Sequence, residues 1–123
     1  MSRFPFFSII IPVYNAETTL ENTIKSIQAQ KCGDFEVLCI NDVSTDHTKQ
    51  IGQKLCDKDS RIHWIDQEKN LGPGAARNRG IEEAAGRYIY FMDADDTIDE
   101  NLLSEAKYSL ENYPAQLVVF GLI

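Results

Sequence analysis

Phe7-Ser-Ile-Ile-Ile-Pro-Val13 is a β-branched run that closes on a proline and carries a single polar residue, Ser8. A strand with one face in water alternates apolar and polar residues. This one is apolar on both faces, the pattern of a strand inside a parallel sheet that is covered on either side. Downstream, Thr18 or Thr19 offers an N-cap, and Leu20, Ile24 and Ile27 recur at i, i+4 and i+7, which predicts an amphipathic helix. Gly33 and Asp34 turn the chain, and Phe35 to Ile40 reads as a second strand. Ser44-Thr45-Asp46 then precedes a helix with Thr48, Ile51 and Leu55 on one face.

The alternation continues. A short strand at Arg61 to Ile65 leads to Asn70-Leu-Gly-Pro-Gly-Ala-Ala-Arg-Asn-Arg-Gly80, which opens a helix expected to end near Gly86. A fourth strand, Arg87 to Met92, runs into Asp93-Ala-Asp-Asp96. Leu103, Ala106 and Leu110 mark a last helix stopped by Pro114, with a fifth strand at Gln116 to Phe120. Strand and helix in turn predict an α/β domain with a mostly parallel sheet, helices on both faces and right-handed crossovers.

Composition narrows the partners. The 123 residues suffice for one domain over 1–123, and 12 basic against 19 acidic residues give a net charge of -7. That balance excludes a nucleic-acid backbone as the main partner, so an anionic ligand needs a local basic group or a metal. The apolar run from Phe4 to Val13 is broken by Pro5 and Pro12 and is too short to cross a bilayer. No secretory cleavage pattern follows it, so the chain is expected to be cytoplasmic. Cys32, Cys39 and Cys56 are odd in number and lack a C-x-x-C spacing, so they read as free thiols; His47 and His63 read as surface residues.

In an open α/β sheet ligands collect beyond the carboxyl ends of the strands. The residues there are Pro12, Tyr14 and Asn15; Asn41 and Asp42; Asp66 and Asn70; and Asp93, Asp95 and Asp96. Asp93 and Asp95 flank the small Ala94, so two carboxylates can reach one hard cation, Mg2+ or Mn2+, that also takes a substrate's phosphates. The same aspartates could instead cap the following helix. In Asn70 to Gly80 small residues allow close backbone approach and Arg77 supplies a guanidinium suited to phosphate. The competing reading is tight packing alone, and for Asp42 it is a turn or N-cap role. Neither a Walker loop nor a G-x-G-x-x-G fingerprint occurs.

Taken together, Ser8-Ile-Ile-Ile-Pro-Val-Tyr-Asn-Ala-Glu17, Asn41-Asp-Val-Ser-Thr-Asp46, Asn70 to Gly80 and Tyr88-Ile-Tyr-Phe-Met-Asp-Ala-Asp-Asp96 resemble the amino-terminal half of glycosyltransferase family 2. The likeness runs from about Phe7 to Leu102, with four motifs in the family's order. It implies a Rossmann-like GT-A nucleotide-binding subdomain. By that resemblance the segment Pro12 to Glu17, Tyr14 included, borders the nucleotide and Asp42 hydrogen-bonds the base, usually uracil. Asn70 and Arg77 line the nucleotide and diphosphate, and Asp93 and Asp95 form the D-x-D metal pair, Asp95 as the direct ligand.

The resemblance further implies inverting transfer of a sugar from a nucleoside diphosphate sugar, UDP-linked, to a saccharide, lipid-linked or other hydroxyl acceptor, in cell-wall or polysaccharide synthesis, peripheral to the inner face of the membrane. Two departures stand out. Val43 occupies a place where the family usually has Gly, so a positive-φ turn is not expected there. Family members also run on past this length into the acceptor surface and the catalytic base, so the chain is expected to be truncated, with its base beyond Ile123, to bind donor without turnover, and to self-associate through Val118, Val119 and Phe120. A non-catalytic nucleotide-sugar-binding or assembly domain is the alternative. A nucleotidyltransferase is disfavoured, because Pro12-Val-Tyr-Asn-Ala-Glu17 has no glycine or lysine.

Overall fold

The computed structural model describes residues 4–113. The predicted strand Gln116 to Phe120, and the self-association expected of its apolar residues, lie outside them. Within the described residues β1 (Phe7–Val13), α1 (Leu20–Gln28), β2 (Phe35–Asn41), α2 (Thr48–Lys58), β3 (Ile62–Asp66), α3 (Pro73–Glu83), β4 (Tyr88–Phe91) and α4 (Leu102–Asn112) follow one another. The four strands form one parallel sheet in the order β3-β2-β1-β4.

Burial on both faces explains the composition of β1. Ile9, Ile11 and Val13 point into a core shared with Leu20, Ile24 and Ile27 of α1, Ile51 and Leu55 of α2, and Leu103, Ala106 and Leu110 of α4. Ile10, between them, points the other way and packs with Leu38, Ile40 and Ala76 under α3. Each such fully buried aliphatic side chain stabilises the fold by about 2 kcal/mol. Ser8, the one polar residue in the run, is buried and satisfied: its hydroxyl donates to Glu36 Oε2 at 2.6 Å and accepts the Gly86 N–H at 2.7 Å.

The order of strands creates the site. From β1 the chain steps outward through β2 to β3, then crosses by α3 to β4 on the other side of β1. Loops after β1 and β4 therefore diverge and leave a crevice, the switch point at which such sheets bind ligands. Two local details differ from the sequence reading. Thr19 does occupy the N-cap of α1, yet its side chain makes no cap bond; the hydroxyl turns back to the Ala16 carbonyl. And α3 ends at Glu83 rather than near Gly86, because Ala84 turns to extended backbone and the Ala85 and Gly86 N–H groups are taken by Glu36 and Ser8.

Candidate functional site

The loops after β1 and β2 brace each other. Asn15 adopts the left-handed region, φ 47°, and its side-chain oxygen accepts the Thr45 N–H at 2.7 Å while its own N–H donates to Ser44 Oγ at 3.0 Å. Asn41 closes the second loop, its Oδ1 accepting both the Ser44 N–H at 3.1 Å and the Ser44 hydroxyl at 2.6 Å. Between them stands Val43 at φ 61°. The expectation that valine would avoid a positive φ is corrected: the paired loops fix the turn from both sides and override a local preference that costs a non-glycine residue about 1–2 kcal/mol. Glu17 belongs to the same brace, accepting the His47 N–H at 2.9 Å and facing its Nδ1 at 3.1 Å.

Asp42 and Asp66 are tied into this framework by their partners, Asp42 buried and Asp66 exposed. The Asp42 carboxylate, 4% exposed, accepts the Leu71 N–H on one oxygen and the Gly72 N–H on the other, each at 3.0 Å. It thereby ties the glycine-rich loop to β2, and Gly72 supplies the left-handed turn this needs, φ 92°. Asp66 accepts from Asn41 Nδ2 at 2.9 Å and Trp64 Nε1 at 3.0 Å, and pairs with Lys49 at 3.0 Å. Burial works to raise its carboxyl, but the hydrogen bonds from Asn41, Lys49 and Trp64 outweigh burial and hold it below the usual carboxylate range. Asp46 likewise sits low despite desolvation, because Thr48 donates to it from both backbone and hydroxyl.

At the end of β4 the chemistry differs. Asp93 to Asp96 form a turn closed by the Asp96 N–H on the Asp93 carbonyl at 3.1 Å, with the Asp93 N–H on Asp96 Oδ2 at 3.3 Å. The following helix takes Asn101 as its N-cap, so these aspartates do not cap it. Carboxylate oxygens of Asp93, Asp95 and Asp96 lie within 4.8 Å of one another. Asp93 and Asp95 are exposed, and among the described residues the Asp95 carboxylate accepts no hydrogen bond. Three hard oxygen donors this close fit a hard divalent cation. Asp96 is the member that the sequence reading left out of the metal set; only the turn, which folds position i+3 back on position i, brings it in. Burial of the Tyr90 ring, with the Asp96 charge added to it, pushes that phenol up.

Asp93, Ala94 and Asp95 wall a cleft of about 380 Å³ with Pro12, Tyr14, Thr18 and Pro73. Arg77, on the first turns of α3, reaches to 3.7 Å from Asp93. So Pro12, Tyr14, Asp93 and Asp95 meet at one cleft with Arg77 beside it, whereas Asp42, Asn70 and Glu17 do not line it: Asp42 lies beneath the loop, Asn70 is exposed ahead of it, and Glu17 faces His47. Of the glycines read as allowing close approach, Gly74 faces open space at the start of α3. Gly80 serves packing, since a Cβ there would stand 2.4 Å from Ile10.

The model of one family, glycosyl transferase family 2, matches residues 8–123. The chain belongs to that family. An uncharacterized glycosyltransferase of Haemophilus influenzae is 42% identical over 112 residues, 90% of this chain and 45% of the relative. A Campylobacter jejuni GalNAc(5)-diNAcBac-PP-undecaprenol beta-1,3-glucosyltransferase is 38% identical over 101 residues, 81% of this chain and 33% of its own length. S. aureus TarS 1-349, solved with UDP and with UDP-GlcNAc, superposes with a TM-score of 0.83 at 33% identity, over 88% of this chain and 32% of TarS 1-349. The family read from the four motifs is thus borne out, as is the Rossmann-like GT-A sheet. The chain spans under half the length of these relatives. No helix among its described residues is long and apolar enough to cross a membrane.

Proposed function

We propose that this chain is the donor-binding half of a metal-dependent inverting glycosyltransferase that takes a UDP-linked sugar and passes it to an acceptor hydroxyl, saccharide or lipid-linked. The observation that carries the reading is the convergence of the Asp93, Asp95 and Asp96 carboxylates, the first two walling the cleft between the β1 and β4 loops, with Arg77 alongside. Asp93 and Asp95 hold Mg2+ or Mn2+, with Asp96 adjoining. A cation so held supplies positive charge against the diphosphate oxygens as the sugar bond breaks.

The chain's own groups do the rest of the binding. Arg77 stands beside Asp93 and offers its guanidinium to the phosphates of a donor. Pro12, Tyr14 and the Asn15 to Glu17 loop border the nucleoside, and Asn70 flanks it from the glycine-rich loop. Asp42 reads the base with the acceptor sites its carboxylate keeps after taking two N–H groups. No cleft residue is assigned as the acceptor's base. Calorimetric titration of UDP is expected to give about tenfold or tighter affinity with Mn2+ than with chelator, because bare carboxylates repel a diphosphate. Equal affinity in the two conditions would remove the metal role. UDP is also expected to outbind ADP and GDP by about tenfold, the cost of one buried unmatched polar edge; parity would remove base reading by Asp42.

A further inference from the structure

Helix α1 and the residues just past its C-cap carry a second stripe beside the apolar one. Thr23, Ser26 and Gln30 recur at i, i+3 and i+7, and Thr23 and Gln30 are 1% and 7% exposed. Polar residues placed so deep need partners, and all three find them in the segment that carries the acidic turn. Thr23 donates its hydroxyl to the Ala94 carbonyl at 2.8 Å. Ser26 accepts the Ile98 N–H at 3.2 Å and donates to the Thr23 carbonyl at 2.8 Å. Gln30 donates to the Asp99 carbonyl at 2.7 Å and to the Ser26 carbonyl at 3.1 Å, and accepts the Leu103 N–H at 3.1 Å.

The first of these bonds falls on a sensitive point. In the four-residue turn from Asp93 to Asp96, the central peptide joins Ala94 to Asp95, and the common turn types differ mainly by a flip of that peptide. The Thr23 hydroxyl holds its carbonyl inward, against buried Ala94, and so fixes the direction in which Asp95 leaves the backbone. Ser26 and Gln30 pin the irregular stretch behind the turn at Ile98, Asp99 and Leu103, so the turn cannot swing as a unit.

We infer that Thr23, Ser26 and Gln30 are positioning residues that preset the acidic turn for a divalent cation without touching it. This rests on the metal reading above and goes beyond it by assigning part of the site's affinity to the far side of α1. A preset turn spares the ordering cost that a mobile carboxylate cluster would bear on binding.

The test measures Mn2+ affinity of the whole chain by electron paramagnetic resonance of the free ion, with melting temperature recorded for each variant. Thr23→Val, isosteric but without the hydroxyl, is expected to bind Mn2+ at least fivefold more weakly, and Thr23→Ser to retain the parent affinity. Ser26→Ala, a milder change, is expected to weaken binding about twofold to threefold. Ile27→Val, a control in the apolar stripe, is expected to lower the melting temperature and leave Mn2+ affinity unchanged. Undiminished Mn2+ binding by both Thr23→Val and Ser26→Ala, or equal weakening by Ile27→Val, overturns the inference while leaving the metal reading intact. Absence of Mn2+ binding by the parent chain overturns both.

Discussion

Two groups of aspartates stand beyond the carboxyl ends of the same sheet and do opposite things with their oxygens. Beyond β2 and β3, Asp42, Asp46 and Asp66 accept hydrogen bonds from backbone and side chains and are absorbed into the loops they hold. Beyond β4, Asp93, Asp95 and Asp96 crowd within 4.8 Å of one another with little to accept from. The first arrangement is satisfied as it stands; the second gathers negative charge that only a cation would balance. Position after a strand marks a residue as near the ligand edge, and the hydrogen-bond partners then tell a carboxylate that also holds the loops from one that holds none.

The largest expected effect lies on the scaffold side. Asp42→Ala strands the Leu71 and Gly72 N–H groups and should destabilise the fold by about 3 kcal/mol in urea unfolding. A loss below about 0.5 kcal/mol would mean that its bonds are replaced by water and that the contrast with Asp95 is false. Next comes Val43→Gly, which removes a β-branched residue from φ 61° and should raise stability by about 1 kcal/mol if the paired loops do impose strain. A neutral or destabilising result would show the turn to be relaxed.

Acid should separate the groups more gently. Asp66 is held low in the folded chain, so it binds fewer protons there than when unfolded. Its contribution is present above the unfolded carboxylate value of about 3.9 and is lost as pH falls through the lower folded one. Asp66→Asn should therefore flatten the loss of stability below about pH 4, by less than about 1 kcal/mol because the carboxylate is 40% exposed. An unchanged acid slope would argue that its hydrogen bonds carry no net weight.

Much of the fold was legible because it depends on local period: Leu20, Ile24 and Ile27 for α1, and the doubly buried run of β1 for the sheet's centre. The site was legible only as far as residue type and strand end could carry it. Val43 was misjudged because its φ is set by Asn15 and Asn41 acting across two loops, which no property of the residue announces. Asp42 could be read only as a strand-end carboxylate facing a ligand; its second task, holding the glycine-rich loop through two N–H groups 29 and 30 residues away, was not legible. Thr23, Ser26 and Gln30 do show helical spacing in the sequence, yet the apolar stripe beside them decides a helix, and their partners stand about 70 residues further on.

The central claim is that the carboxylates beyond β4 are a ligand site and not part of the framework. It is tested most directly by the Mn2+-induced shift in melting temperature of the parent chain and of Asp95→Asn. The account predicts that Asp95→Asn alone leaves stability within about 0.5 kcal/mol of the parent, as a carboxylate without a hydrogen bond among the described residues should, and that the Mn2+ shift of the parent is lost in the variant. A variant that is strongly destabilised, or that keeps the parent's full Mn2+ shift, would contradict it.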